Sequence, residues 1–325
     1  MSTNYIYSSS RVKALEKGLL SEADVERLLL IENVNEVLKT LKDTYLNTLT
    51  GEEGIENLSA VLEKTNLETK ALLEKISPEP DLLAYFWFRF DVHNLRVVLR
   101  ALKTGKSLDE VLPFMSKLGK YDPVVLFERA KAGTLEQINS GLKNIYDRAV
   151  KASEQSLAKA DQEFDKGYFL LNEDLVKKSD NKVLAEIQKL QIDLYNLKTG
   201  LRLFALGEIN DFSWFIGGGS FALVAIDTQE KLLARLNTFG GERFWKEAIT
   251  EYMENGHFTT LNVKMDEYLL VAIKGMEDDV FSIATIISYL LKQQNVSLNI
   301  QAIVVGKENK QSGEIIRKQL RAIYV

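Results

Sequence analysis

The stretch "DVHNLRVVLRALKTG" runs from Asp91 to Gly105, and a related stretch, "DLYNLKTGLRLFALG", runs from Asp193 to Gly207. Six of the fifteen positions are identical when the two are aligned at an offset of 102 residues. In and before the first stretch, apolar residues recur every three or four positions, which is the spacing of one helix face. The pattern predicts a helix of about 23 residues that stops at Gly105. Its apolar seam consists of Tyr85, Phe88, Val92, Leu95, Leu99 and Leu102.

The seam recurs twice further along the chain. At an offset of 102 residues it consists of Ile187, Leu190, Leu194, Leu197, Leu201 and Phe204. At an offset of 201 it consists of Ile286, Tyr289, Gln293, Val296, Ile300 and Ile303. The third stretch, "KQQNVSLNIQAIVVG" from Lys292 to Gly306, departs from the others because Lys292 replaces the leading aspartate and Gln293 interrupts the seam. The repeated polar and glycine positions are predicted to be structural: Asp91, Asn94, Gly105, Asp193, Asn196, Gly207, Asn295 and Gly306.

Three upstream segments carry a second set of matching signals. "SEADVERLLL" from Ser21, "DPVVLFERAK" from Asp122 and "TQEKLLARLN" from Thr228 each open with a residue type that caps helix N-termini. A tyrosine follows each cap after 24 residues, and these are Tyr45, Tyr146 and Tyr252. Caps, tyrosines and seams in one order favour three copies of a helical unit over accidental heptads. The predicted repeats are residues 1–121, 122–227 and 228–325.

Composition narrows the class of protein. The 325 residues include only 4 prolines and 19 glycines, which favours a helical fold. The 41 basic and 46 acidic residues are spread along the chain, so no basic stripe indicates a nucleic-acid partner. The absence of cysteine excludes disulfides, thiolate metal sites and a cysteine nucleophile.

Hydropathy predicts no membrane span and no signal peptide. The longest apolar runs, residues 215–226 and 280–291, have twelve residues, whereas a helix needs about 20 to cross a bilayer. The first residues lack the apolar core of a secretory signal. We therefore expect a protein that stays inside the cell and meets a membrane only through partners or through its own surface.

Catalytic motifs are weak throughout. Asp91 and Asn94 lie one helical turn apart, but a catalytic acid needs a partner in reach, so a structural role is favoured. His93 and His257, the only histidines, lack a second ligand at i+3 or i+4, and no metal site is expected. "GGGSFA" from Gly217 to Ala222 formally fits a dinucleotide-binding loop, but no clear strand precedes it, and an ordinary loop between helices is favoured.

A family resemblance rests on these same stretches. "RFDVHNLRVVLRALKTG" from Arg89 to Gly105 resembles the D-x-x-N-[LIV]-[RK]-x-x-[LI]-R-x-x-x-x-G signature of the C subunit of V/A-type rotary ATPases, whose eukaryotic V-ATPase counterpart is the d subunit. "IDLYNLKTGLR" from Ile192 to Arg202 and the glycine-rich "FIGGGSF" resemble the second repeat of that family. The similarity spans essentially the whole chain and is weakest in the third copy, at Lys292 and Gln293.

The resemblance implies a fold and a role. The fold is all-α, with three pseudo-equivalent helical-bundle subdomains arranged as a funnel with pseudo-threefold symmetry. The role is that of a non-catalytic central-stalk component, a socket that links the D and F subunits of the axle to the proteolipid ring of the membrane rotor. Such a socket transmits torque for proton or sodium transport. It needs no cofactor or small-molecule substrate, and it is cytoplasmic and peripheral on the inner face of the cell membrane.

Residue-level contacts and two rival functions stay open from the sequence alone. Arg96, Arg100, Lys198 and Arg202 lie away from the seam, and we hypothesise that they include partner contacts, with simple solvation as the alternative. The chief rival function is an all-helical scaffold or adaptor unrelated to rotary ATPases. The second is an enzyme that binds a nucleotide at the loop of Gly217 to Gly219.

Overall fold

The chain is all-α. The computed structural model describes residues 5–43, 46, 58–208, 211–220 and 228–323, and within those ranges every regular element is a helix. The all-α prediction is confirmed. Tyr45 and the last two residues of "GGGSFA", Phe221 and Ala222, lie outside the described residues.

Three shorter helices directly precede each of three long helices in the described part of the chain, while α1, α6 and α15 lie outside this order. The long helices α5, α10 and α14 have 21, 25 and 25 residues, and they follow α2 to α4, α7 to α9 and α11 to α13 respectively. The α-helices are α1 Ile6–Glu16, α2 Glu22–Leu30, α3 Val34–Asp43, α4 Leu58–Ile76, α5 Ala84–Thr104, α6 Leu108–Val111, α7 Pro123–Ala132, α8 Ser140–Ala152, α9 Leu157–Ser179, α10 Lys182–Leu206, α11 Gln229–Leu236, α12 Glu242–Asn255, α13 Thr259–Lys274, α14 Ala284–Glu308 and α15 Gly313–Arg317. Single 3₁₀ turns lie at Pro80–Leu83, Leu112–Phe114, Leu135–Gln137 and Phe212–Trp214.

The first helix of each group begins at its predicted N-cap. Ser21 accepts a hydrogen bond from the backbone N–H of Asp24, and the carboxylate of Asp24 accepts one in return from the backbone N–H of Ser21. Asp122 caps α7 and Thr228 caps α11 in the same way, through their side-chain oxygens. The three cap predictions are confirmed.

Two of the three glycines after the seams end a helix, and the third does not. Gly105 and Gly207 adopt left-handed backbone conformations, with φ of 69° and 72°, which a residue with a Cβ rarely adopts. Helix α14 instead continues past Gly306 to Glu308. A Cβ on Gly306 would lie 2.6 Å from Cγ1 of Ile316, so this glycine allows the chain after α14 to pack closely on the helix.

One compact unit consists of residues 79–192 and 213–219. In it, α5 packs against α7, α8 and α9, which follow it in the chain. The seam of α5 forms the centre of this core, with Leu95 fully buried. Helices α8 and α9 approach closely at Gly167, where a Cβ would lie 2.4 Å from Cγ1 of Ile145.

The other compact unit consists of residues 1–78, 193–212 and 220–325. In it, α14 packs against α1, α2, α3 and α4 as well as against α13, which precedes it. Every residue of the third seam is buried, including the polar Gln293. Helix α10 belongs to both units, because its residues 182–192 lie in the first and its residues from Asp193 onward in the second.

Candidate functional site

The repeated aspartates anchor the loops that lead into the next group of helices. Asp91 is fully buried in α5, and its carboxylate accepts hydrogen bonds from the backbone N–H groups of Lys120, at 2.9 Å, and Tyr121, at 3.1 Å. These residues directly precede the cap of α7. Asp193, also fully buried, accepts bonds from the backbone N–H of Ser220, at 3.1 Å, and from its hydroxyl, at 2.6 Å. We call these two arrangements the loop clamps.

In each loop clamp a glycine precedes the anchored residues in the sequence, at Gly119 and Gly219. A Cβ on Gly119 would lie 2.2 Å from Oδ1 of Asp91, so only glycine lets the loop lie against the carboxylate. The residue before Ser220 is also a glycine, the last of "GGG". The glycine-rich loop therefore brings Ser220 to an aspartate of its own chain. A 3₁₀ turn, Phe212–Trp214, precedes the loop where a nucleotide-binding fold has a strand.

The repeated asparagines hold the backbone that follows the long helices. Asn94 donates to the carbonyl oxygen of Ser116 and accepts from its N–H, both at 2.8 Å. On α14, Asn299 makes the same two-way contact with Arg321, at 2.8 Å and 2.7 Å, while Asn295 donates to the carbonyl of Ala322 at 2.9 Å. In the third copy the two-way bond has thus moved one helical turn, from position 295 to Asn299. Asn196 is buried as well.

A third repeated position joins each long helix to the third helix of another group. Arg96 on α5 forms an ion pair with Asp165 on α9. The equivalent residue at offset 102, Lys198 on α10, donates to Oδ1 of Asn262 on α13 at 2.8 Å. At offset 201 the residue is Ser297, and its hydroxyl donates to Asn66 on α4 at 3.2 Å. The partners of α5 and α10 thus lie in the group of helices that follows each of them, and the partner of α14 lies in the first group.

The remaining two predicted partner contacts are more exposed. Arg100 is 52% exposed and pairs with Asp161 at 2.8 Å, and Arg202, its equivalent at offset 102, lies over the ring of Phe258. Arg96 and Lys198 are half-buried, whereas Arg100 and Arg202 are exposed. The hypothesis that these four cations contact a partner stays a prediction, and the geometry makes Arg100 and Arg202 the more accessible pair.

The third copy replaces the loop clamp by a cluster of charges. Lys292, only 2% exposed, places its Nζ 2.9 Å from Oε1 of Glu16 on α1 and 3.7 Å from Oε1 of Glu277, in the loop before α14. Lys13 on α1 also pairs with both glutamates. We call these four residues the Lys292 cluster. No sequence pattern indicated that Lys292 pairs with Glu16 or Glu277, because the contact with Glu16 joins residues 276 positions apart.

Two members of this cluster, Glu277 and Lys13, have pKa values shifted by their neighbours. Burial alone would raise the pKa of Glu277, but the hydrogen bond from Lys13 and the charge of Lys292 outweigh it and hold the pKa below its ordinary value. Burial alone would lower the pKa of Lys13, but the hydrogen bond to Glu277 and the charge of Glu16 outweigh it and raise that pKa. The pKa shifts of Lys13 and Glu277 therefore both favour the charged forms of these two side chains.

The two histidines lie apart from these contacts. His93 contacts the carbonyl oxygen of Phe114 at 3.1 Å, and His257 lies at an exposed turn. Across the described ranges, no group of three or more His, Asp or Glu side chains could hold a metal ion. Nor does any described helix combine the length and apolar character needed to cross a bilayer.

Comparisons with known proteins point to one family. A sequence model of the family described as ATP synthase (C/AC39) subunit matches residues 8–319. The chain is 24% identical to the C subunit of the A-type ATP synthase of Methanosarcina mazei, over 98% of this chain and 93% of the relative. It is 28% identical to the protein of the same name from Thermococcus kodakarensis, over 93% and 86%, and 23% identical to that from Halobacterium salinarum, over 98% and 97%.

Proposed function

Because the chain belongs to the ATP synthase (C/AC39) subunit family and is thus a component of a V/A-type ATP synthase, we propose that it is the socket of the central stalk. In this role it holds the D and F subunits of the axle, rests on the membrane rotor ring and transmits torque between them. It is non-catalytic and lies peripherally at the inner face of the cell membrane.

We further propose that residues 1–121, 122–227 and 228–325 are three copies of one unit arranged cyclically, as a funnel with pseudo-threefold symmetry. The observation that carries this proposal is the direction of the contacts made by the long helices. Helix α5 packs on α7, α8 and α9, the C-terminal half of α10 contacts α13, and α14 packs on α2, α3 and α4. A third copy that packs on the first supports a closed ring, because an open row would leave it no such partner.

A closed ring suits torque transfer for a physical reason. A socket around an axle resists rotation through many contacts at once, and it needs no covalent bond to either partner. Polar side chains that tie each long helix to another copy, such as Arg96 to Asp165, hold the copies in fixed positions. The family match over residues 8–319 favours the socket over a scaffold unrelated to rotary ATPases.

Omission of the chain from a reconstituted complex tests the socket role. We expect ATP hydrolysis by the catalytic subunits to persist while ATP-driven ion uptake into vesicles falls to the background, because the axle is no longer joined to the ring. The measurement compares hydrolysis and uptake in vesicles assembled with and without this chain. Uptake that survives omission contradicts the proposal.

Charge reversal tests the four candidate partner contacts. The variant combines Arg96→Glu, Arg100→Glu, Lys198→Glu and Arg202→Glu. We expect the amount of axle and ring proteins that co-purify with the chain to fall at least about tenfold, because like charges across an interface cost several kcal/mol. The change in Arg100 and Arg202 carries most of the effect.

The matched control reverses the same number of charges at exposed lysines on other surfaces. These are Lys177, Lys178, Lys189 and Lys246. Circular dichroism of both variants checks that the helices are retained. If both variants assemble equally well, the four cations are solvated surface residues, and the contact hypothesis is wrong.

A further inference from the structure

The third long helix differs from the other two in the chemistry that it offers at the clamp position. Asp91 and Asp193 are acceptors, and their partners are backbone N–H donors. Lys292 is a donor with no acceptor capacity, so it cannot bind N–H groups. Its partner is instead a carboxylate, that of Glu16. In this contact the long helix therefore supplies the donor and its partner supplies the acceptor, which is the reverse of the two loop clamps.

The exchanged contact also joins more distant parts of the chain. The clamped backbone lies 29 and 30 residues after Asp91 and 27 residues after Asp193, so a short connection brings it to the carboxylate. Lys292 and Glu16 are separated by 276 residues. Chain connectivity therefore favours the right loop in the first two copies, whereas in the third it favours the contact with the nearby Glu277 and not the contact with Glu16.

We infer that Lys292 is a specificity residue, whose reversed charge directs α14 to α1 and away from the clamped loops of the other two copies. In a wrong pairing, Lys292 faces backbone N–H groups, or Asp91 or Asp193 faces the carboxylate of Glu16. The first arrangement places donors against donors in a buried site, and the second places two carboxylates together there. The right pairing is the one in which Lys292 meets both Glu16 and Glu277.

Stability alone does not account for this cluster. A buried ion pair often contributes no more than well-packed apolar residues would, since desolvation offsets the attraction of the charges. Lys292 is 2% exposed and Glu16 11%, so the desolvation is nearly complete. Buried charges of this kind are best attested as devices that select one pairing over others. Three similar long helices in one chain create the need for such selection, because repeats can exchange elements within or between molecules.

A charge swap in the purified full-length chain tests the inference. We expect Lys292→Glu to lower the hydrogen-exchange protection of α1 at least about 100-fold, because the new carboxylate faces Glu16 and Glu277. After dilution from denaturant, we also expect several-fold more domain-swapped dimer, measured by light scattering. The double variant Lys292→Glu with Glu16→Lys restores a donor opposite an acceptor at position 16, and we expect it to recover part of the protection and of the monomer yield, because Glu277 still faces the new carboxylate.

Lys307→Met is the matched control, since it removes a lysine from the same helix whose Nζ donates to the carbonyl oxygen of Leu29 and not to a carboxylate of the Lys292 cluster. We expect this control to leave the protection of α1 and the monomer yield within about twofold of the original chain. If Lys292→Glu keeps the α1 protection and the monomer yield of the original chain, the inference is wrong. The inference is also wrong if the double variant has as little α1 protection and as low a monomer yield as Lys292→Glu. If Lys292→Glu does not fold, the double variant alone tests the inference. A double variant that folds to a monomer with a protected α1 supports the inference. A double variant that also fails to fold overturns it.

Discussion

Asp91→Ala is expected to lower the free energy of unfolding by about 3 kcal/mol, because a buried donor left without a partner costs about 1–3 kcal/mol. The fully buried carboxylate of Asp91 accepts from the backbone N–H groups of both Lys120 and Tyr121. Bonds to a charged acceptor are stronger than neutral ones, and alanine leaves both donors unpaired. Urea denaturation followed by circular dichroism at 222 nm measures the difference.

Two further variants distinguish the loss of the loop clamp at Asp91 from the loss of a negative charge in general. Asp91→Asn keeps one acceptor oxygen and the shape of the side chain, so we expect about half the loss of Asp91→Ala. Asp147→Ala removes an exposed acid that pairs with Lys143 within α8, and we expect it to cost no more than about 0.5 kcal/mol. A loss below about 1 kcal/mol for Asp91→Ala would mean that water replaces the carboxylate, and the clamp would not hold the loop.

Trp245→Ala is expected to have the largest effect on stability, about 4 kcal/mol, in line with other large-to-small changes in cores. Trp245 is fully buried in α12, and its Nε1–H donates to the carbonyl oxygen of Phe239 at 2.6 Å. Its ring contacts the rings of Phe239, Phe244 and Tyr268. Removal of the indole leaves a cavity among three aromatic rings and an unpaired carbonyl in the turn before α12.

The control is a comparison of the stability losses of Trp245→Phe and Trp245→Ala. Trp245→Phe keeps most of the aromatic packing and loses the hydrogen bond, so we expect a smaller loss of about 1–2 kcal/mol. Urea midpoints of the three proteins, measured by circular dichroism because the tryptophan fluorescence itself changes, test this order. Equal losses for phenylalanine and alanine would show that the hydrogen bond, rather than the packing, dominates this site.

Local sequence patterns predicted much of the fold because helix signals act over a few residues. The seam of α5 and the stop at Gly105 follow from spacing and from backbone conformation. The caps at Ser21, Asp122 and Thr228 follow from one side chain and the N–H groups next to it. The recurrence of these signals also predicted three copies, and that division stays a prediction.

The partners of the repeated polar positions lay outside the reach of such patterns. The aspartates were visible as repeats, and so was the glycine-rich loop that contains Ser220, but nothing in the sequence paired Asp91 with Lys120 and Tyr121 or Asp193 with Ser220. The role of Gly306 differs from that of Gly105, because Ile316 packs against it and the helix continues. Trp245 gave no repeated signal, since its environment is assembled from a turn and two helices.

What the sequence by itself determined is therefore local: which segments are helical, where they begin, which face is apolar, and that one pattern occurs three times. The tertiary structure alone decided that Lys292 meets Glu16 and that Ser297 meets Asn66. Helix formation depends on residues three or four apart, which the sequence displays directly. Contacts across hundreds of residues depend on how the helices pack, and a substitution such as aspartate to lysine reveals its partner only when the two segments lie side by side.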